Sequence, residues 1–332
     1  MKLIKIFKYI PNQFKENLLY MNYYLNKLFL KNFLPLSSLN IEVTSYCNLG
    51  CKGCYRTLYE YDSKNKNMPL QKFKGYVDKS PNFFSLYLHG LGEPTLHPNI
   101  QEIVEYSRKS NKFRNIGFTT NALAKNPQIY EKLFSKGLTN LTISVDSLDQ
   151  KEVNKIRPFT DVQKLMDNIG LLFKKFPKNI KIDMVINNIN INTFEKTLKK
   201  LYDLGLREVS FHPYDDLGYS ELKLSSEQYT LFLEKLKKVQ LPKMKFHSGG
   251  FIPIKTYCKF PSIYPSINAA GYLTPCCRIF NEKIFNAGNL NDKTFNEIFF
   301  SKKYRDIQKN IKKKNYPFFC KGCLKNHIES HK

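Results

Sequence analysis

Residues 44–56 read Thr44-Ser45-Tyr46-Cys47-Asn48-Leu49-Gly50-Cys51-Lys52-Gly53-Cys54-Tyr55-Arg56 and place three cysteines at C-x3-C-x2-C spacing. Three thiolates on one short loop can hold three corners of a cubic iron–sulfur cluster. The fourth iron then has no protein ligand and stays open to a substrate or cofactor. A structural zinc site wants four protein ligands, and a disulfide framework wants an even number of cysteines. The spacing points to an open iron site, and open metal sites do chemistry. The apolar, β-prone run just before it, residues 40–44, makes the cysteines the loop after a first strand.

Outward from that loop the chain alternates regularly. Further β-prone runs occur at 84–89, 115–119, 140–145, 181–186 and 208–212, separated by stretches of helical period at 70–78, 100–109, 127–135, 162–173, 194–204 and 226–238. Such repeats specify a parallel sheet with right-handed crossovers. The expected fold class is α/β: a partial (β/α)6 barrel over 39–240, then a small irregular cysteine-rich C-terminal domain over 241–332. That domain carries a hairpin at 266–275 around Gly271 and one helix over 294–311. Residues 1–38 read as an amphipathic basic extension, broken at Pro11 and Pro35, that packs on the barrel or, alternatively, touches an anionic membrane surface.

Composition narrows the classes. The 332-residue chain is 42% hydrophobic and carries a formal net charge of +25. The longest Lys/Arg run is the three at 312–314, and Lys and Asn are scattered along the whole chain with Ile and Phe, as an AT-rich coding bias would leave them. No nucleic-acid partner is expected, and the charge favours an anionic substrate. The N-terminus lacks a signal-peptide pattern, so a cytoplasmic, reducing location is expected, where thiolate–metal ligation prevails over disulfides.

In β/α barrels the chemistry lies in loops at the C-terminal ends of the strands. There this sequence carries Gly90-Leu91-Gly92-Glu93-Pro94, Thr119-Thr120-Asn121-Ala122, Ser144-Val145-Asp146-Ser147, Asn187-Asn188 and His212-Pro213-Tyr214. Each alone reads as a turn or a helix cap. Together with the cysteines they resemble the radical S-adenosylmethionine (SAM) superfamily, whose signature is the C-x3-C-x2-C loop and whose Gly-Gly-Glu-Pro motif loop 90–94 resembles, with Leu91 in second place.

The resemblance implies that Cys47, Cys51 and Cys54 ligate a 4Fe–4S cluster whose fourth iron takes the amino and carboxylate groups of SAM. It further implies reductive cleavage of SAM to a 5′-deoxyadenosyl radical that takes a hydrogen atom from substrate, the electron coming from an external one-electron reductant of flavodoxin or ferredoxin type. Carried over by residue, Gly90, Gly92 and Glu93 receive the methionine ammonium, and Asn121, Ser144 and Asp146 line the cofactor. Arg157 holds the methionine carboxylate, or is an ordinary surface arginine. One departure is Gly53, where the family commonly has an aromatic or bulky residue that supports adenine.

Of eight cysteines, five remain. Cys258, twelve residues, Gly271, four residues and Cys276 resemble the opening of the SPASM/twitch domains attached to such enzymes, closed here by Cys320-Lys321-Gly322-Cys323. Cys258, Cys276, Cys320 and Cys323 would hold one auxiliary 4Fe–4S cluster, as in the shortened twitch form, with Cys277 left over. A four-cysteine zinc site is the alternative. A second cluster can accept an electron from a substrate radical, which suits a net two-electron oxidation by an oxidoreductase. The substrate expected is a sugar, a nucleotide sugar or another anionic small molecule. The alternatives are a peptide-modifying maturase and, in another class, a non-catalytic iron–sulfur or zinc-binding redox or interaction protein. Candidate catalytic bases near the barrel mouth are His89, His212, Tyr214 and Asp215.

Overall fold

The computed structural model describes residues 36–58, 64, 66–214, 219–248 and 257–320; almost all of the basic N-terminal extension lies outside them. Strands β1 (Leu36–Ile41), β2 (Phe83–Tyr87), β3 (Phe113–Thr120), β4 (Asn140–Ser144), β5 (Ile180–Ile186), β6 (Glu208–Pro213) and β7 (Lys245–His247) follow one another in chain order, every neighbouring pair parallel. Between them run α1 (Tyr55–Leu58), α2 (Leu70–Lys79), α3 (Ile100–Lys109), α4 (Gln128–Ser135), α5 (Gln150–Ile156), α6 (Val162–Lys175), α7 (Phe194–Asp203) and α8 (Ser226–Lys238). The architecture is α/β, a partial parallel barrel. Among the described residues no helix is long and apolar enough to cross a membrane.

Two-residue periodicity decides which side chains face the lumen. In β5, Ile180, Ile182, Met184 and Ile186 are buried, while Lys181, Asp183 and Val185 alternate with them on the other face. In β6, Val209 and Phe211 are buried and Ser210 and His212 alternate with them. Phe211 meets Phe194 of α7 and Phe232 of α8 edge-on, at 6.3 and 5.3 Å between ring centres. Such pairs contribute about 0.5–1.5 kcal/mol each beyond the area they bury. The apolar face is thus the helix side, and Asp183 and His212 share the lumen face.

The C-terminal region completes the sheet. Segment α9 (Phe260–Ile263) leads into β8 (Ser266–Ile267), which pairs parallel with β1 and antiparallel with β9 (Leu273–Thr274). Helices α10 (Phe295–Phe299) and α11 (Lys302–Lys312) follow, and Phe295 packs edge-on against Phe83 of β2.

Three expectations change. The first strand ends at Ile41, because Val43 and Thr44 pair with Met68 and Asn67 instead of a neighbouring strand. The single helix over 294–311 is two: Ser301 accepts the Tyr304 N–H and starts a new helix with its own cap. Helix α5 was not anticipated, although Asp149 caps it by accepting from Lys151 and Glu152.

Candidate active site

The cysteine loop is shaped by its own backbone and by two neighbours. Cys54 N–H donates to Cys51 O (3.3 Å), Thr57 N–H to Cys54 O (2.9 Å), and Lys52 N–H to Ile156 O at the end of α5 (2.9 Å). All three thiols are half-buried. Burial pushes the Cys47 thiol up to about 11, and Glu93, Cys51 and Cys54 add to that as negative neighbours. Burial likewise raises Cys54, with Cys51 beside it. Gly53 has φ +76°, and an added Cβ there would overlap the Tyr214 ring. This explains the missing aromatic before the third cysteine: a tyrosine from the end of β6 already occupies that space.

Loop 90–94 is clipped onto the cysteine loop. Glu93 N–H donates to Tyr46 O (2.7 Å), and an added Cβ on Gly92 would come within 2.6 Å of that same oxygen. Glycine is required here by the close approach of two backbones. The Glu93 carboxylate, 3% exposed, is turned away from the loop. It accepts from Thr95 N–H and Oγ1 (3.2 and 2.8 Å), Thr120 Oγ1 (2.7 Å) and Asn121 N–H (2.8 Å). Asn121 in turn donates to Asn48 Oδ1 (2.8 Å), next to Cys47. Glu93 and Asn121 therefore brace the first three loops against one another.

At the end of β4, Arg157 donates to Ser144 O, stands 3.9 Å from the Asp146 carboxylate and has the Cys51 thiol as a neighbour. It is an interior residue joining β4 to the cysteine loop. Burial works against its charge, but Cys51, Asp146 and Cys47 hold it protonated above its ordinary range. Asp146 accepts from Val185 N–H (2.9 Å); burial raises its carboxyl, with Arg157 opposing. The Asn187 region is a local turn: Asn187 N–H donates to Asn190 Oδ1 and Asn190 Nδ2 to Asp146 O, at 2.9 and 2.8 Å.

Of the four candidate bases, Asp215 lies outside the described residues, and Tyr214 packs on Gly53. His212 lies 3.8 Å from Asp183, a mid-strand residue outside every loop motif of the sequence. The signal was there: Ile180-Lys181-Ile182-Asp183-Met184 alternates apolar and charged. Burial works against the Asp183 charge, yet His212, Lys181 and His89 hold it below the usual carboxylate range. His89 is pushed down to about 4 by burial, so it is neutral at pH 7. Two buried atoms here, His89 Nδ1 and Asp183 Oδ1, have no hydrogen-bond partner among the described residues. The Tyr87 ring lies 5.7 Å from His89 and 5.6 Å from Tyr264, which comes from the C-terminal region.

The second cysteine set also draws together. Burial lifts the Cys276 thiol well above its ordinary value, and Cys277, Cys258 and Cys320 are its like-charged neighbours. Tyr264 feels Cys277, Tyr87 and Asp183, so this set borders the lumen cluster. Cys323 lies outside the described residues. No three His, Cys, Asp or Glu side chains among the described residues converge on one metal-ion position. A cluster does not ask for that, since each iron takes one thiolate. Three half-buried thiols on one short loop are the donor set that such a cluster requires.

Comparisons with known proteins agree with this geometry. The radical SAM superfamily pattern matches residues 41–201, and the SPASM iron–sulfur cluster-binding domain matches 258–324. A GTP 3′,8-cyclase from Clostridium acetobutylicum is 26% identical over 72% of this chain and 80% of its own length. A probable GTP 3′,8-cyclase from Methanocaldococcus jannaschii is 28% identical over 54% of this chain and 60% of its own length. Among solved structures, anSMEcpe with bound AdoMet superposes with a TM-score of 0.69 at 19% identity, covering 86% of this chain and 88% of that one. Streptococcus suis SuiB bound to S-adenosylmethionine gives 0.69 at 16% identity, covering 92% and 78%. The cofactors that go with these domains are a SAM-binding 4Fe–4S cluster, SAM and auxiliary iron–sulfur ligation. The chain therefore carries a radical SAM domain over 41–201 and, C-terminal to it, a SPASM iron–sulfur cluster-binding domain over 258–324.

Proposed function

We propose that this enzyme performs a net two-electron oxidation of an anionic small molecule held in the barrel lumen. The observation that carries the reading is the position of the Asp183, His212 and His89 cluster. It has Asp146, Arg157 and Cys51 on one side and Tyr264 with Cys277 on the other. Bound at the two cysteine sets, the clusters and SAM supply one-electron hydrogen-atom abstraction and an electron acceptor.

Cys47, Cys51 and Cys54 would hold the first cluster, and Cys258, Cys276, Cys320 and Cys323 the second. The backbone of 90–93 would receive the ammonium of SAM. Arg157 would face its carboxylate, and Ser144 and Asp146 would line the rest of the cofactor. The substrate's C–H and an adjacent O–H or N–H bond break and a C=O or C=N bond forms. One hydrogen leaves as an atom, one proton goes to the Asp183–His212 pair, and one electron goes to the second cluster. Asp183 and His212 stand 3.8 Å apart on the lumen face, where a pair of proton acceptors can receive that proton.

The +25 charge, Lys181 on the lumen face, and relatives named for a nucleoside triphosphate support a nucleotide or nucleotide-sugar substrate. An external one-electron donor completes the cycle. The test is anaerobic turnover of reconstituted enzyme with SAM, dithionite and a panel of nucleotides and nucleotide sugars, read by mass spectrometry. The expected product is lighter than its substrate by two hydrogens, with one 5′-deoxyadenosine per turnover. A product of unchanged mass overturns the oxidation; 5′-deoxyadenosine with no small molecule consumed overturns the substrate class.

A further inference from the structure

Glu42 is fully buried just beyond the end of β1, and no ion pair among the described residues includes it. A buried carboxylate without a cation is costly unless hydrogen bonds replace its hydration. Here they come from two distant places. Leu91 N–H donates to Oε1 at 2.9 Å, and Ala269 N–H donates to Oε2 at 3.0 Å. Leu91 belongs to the loop that offers its backbone to SAM. Ala269 belongs to the turn between β8 and β9, seven residues before Cys276. The loop also lies directly on this side chain, because a Cβ on Gly90 would overlap it.

The turn is rigid in its own right. Asn268 Oδ1 accepts from Ala270 and Tyr272 N–H (3.1 and 2.9 Å), and its Nδ2 donates to Phe280 O and Glu282 Oε2 (2.9 and 2.7 Å). A shift of the segment around Cys276 is therefore passed to Ala269, and from there through one carboxylate to Leu91. A hydrogen-bonded chain of rigid parts of this kind can carry a coupling free energy between two sites.

We propose that Glu42 is a positioning residue that couples the second cysteine set to the SAM loop, so that order in the β8–β9 hairpin and occupancy of the SAM loop strengthen each other. This rests on the reading that loop 90–93 receives SAM. Glutamine at position 42 can accept only one of the two N–H groups through its carbonyl and turns a donor toward the other, so the coupling is lost while the side chain keeps its size.

The test uses anaerobically reconstituted holoenzyme with SAM as the probe. Hydrogen exchange followed by mass spectrometry should show SAM slowing exchange in 88–94 and also in 266–275. In Glu42→Gln the hairpin response should vanish, and the SAM dissociation constant should rise about tenfold, within the usual range of site-to-site coupling, with iron content unchanged. Protection of 88–94 without 266–275 in the unmodified enzyme overturns the proposal, and so does hairpin protection that persists in Glu42→Gln. That first arm needs no variant, so poor folding of Glu42→Gln does not rescue the idea. If SAM protects neither segment, the assignment of loop 90–93 fails instead.

Discussion

The two cysteine regions are built by different means. Cys47, Cys51 and Cys54 lie within eight consecutive residues on one loop, held by local backbone bonds and by the ends of β2, β4 and α5. Cys258, Cys276 and Cys320 are separated by 18 and 44 positions, and chain folding alone makes them neighbours. The first region can be recognised by spacing because its geometry is local. The second depends on a hairpin, two capped helices and the packing of Phe295 on Phe83. A local site tolerates changes elsewhere in the chain, whereas a site assembled from distant segments reports on the whole domain.

The largest expected effect tests that contrast directly. Cys51→Ala should lower 5′-deoxyadenosine formation by about a hundredfold or more, whereas Cys276→Ala should keep it within a few-fold while iron falls from about eight to about four per chain. Iron analysis and chromatography of the nucleoside read both quantities. Equal loss of 5′-deoxyadenosine in the two variants would erase the division between the regions.

A smaller effect asks how local the first region is. Gly53→Ala combines a left-handed backbone with overlap on the Tyr214 ring, and should cost about 3 kcal/mol in urea unfolding. Adding Tyr214→Ala should return part of that loss, leaving the backbone strain alone. Additive destabilisation would mean that the tyrosine and the loop do not meet.

The smallest effect concerns Glu42, the link between the regions. Burial raises its carboxyl from 4.5 to about 7, opposed by the Leu91 and Ala269 N–H groups and reinforced by the facing Glu282. The unfolded chain ionises above 4.5 while the folded chain keeps the proton to about 7, so stability drawn from this group falls as pH rises through that window. Between pH 5.5 and 7 the fall is roughly 2 kcal/mol. The difference in unfolding free energy between the unmodified protein and Glu42→Gln should carry that slope, and a flat difference would show that Glu42 titrates normally.

Much of the site was legible beforehand for a physical reason. Cysteine spacing, glycines after strands and the alternation of strand and helix are local constraints, written in neighbouring residues. Arg157 looked as much like a surface residue as a ligand, because its environment comes from Ser144, Asp146 and Cys51, far away in the chain. Asp183 carries no motif of its own, because a charged residue in a strand declares itself only once the lumen face is known. The motif places Glu93 near the cofactor, and only the fold shows that its carboxylate also ties loops together, since four donors surround it.

By itself the sequence determined that three thiolates share one loop, that parallel strand–helix units carry it, and that a second cysteine set follows. These depend on periodicity and short-range spacing, which backbone geometry turns directly into structure. Only the tertiary structure decided that Tyr214 fills the space above Gly53, that Asp183 and His212 face each other across β5 and β6, and that Glu42 holds Leu91 and Ala269 together. Each of these joins residues between 29 and 227 positions apart. Contacts at that range exist only after the sheet has formed, because strand register and the lumen face set them.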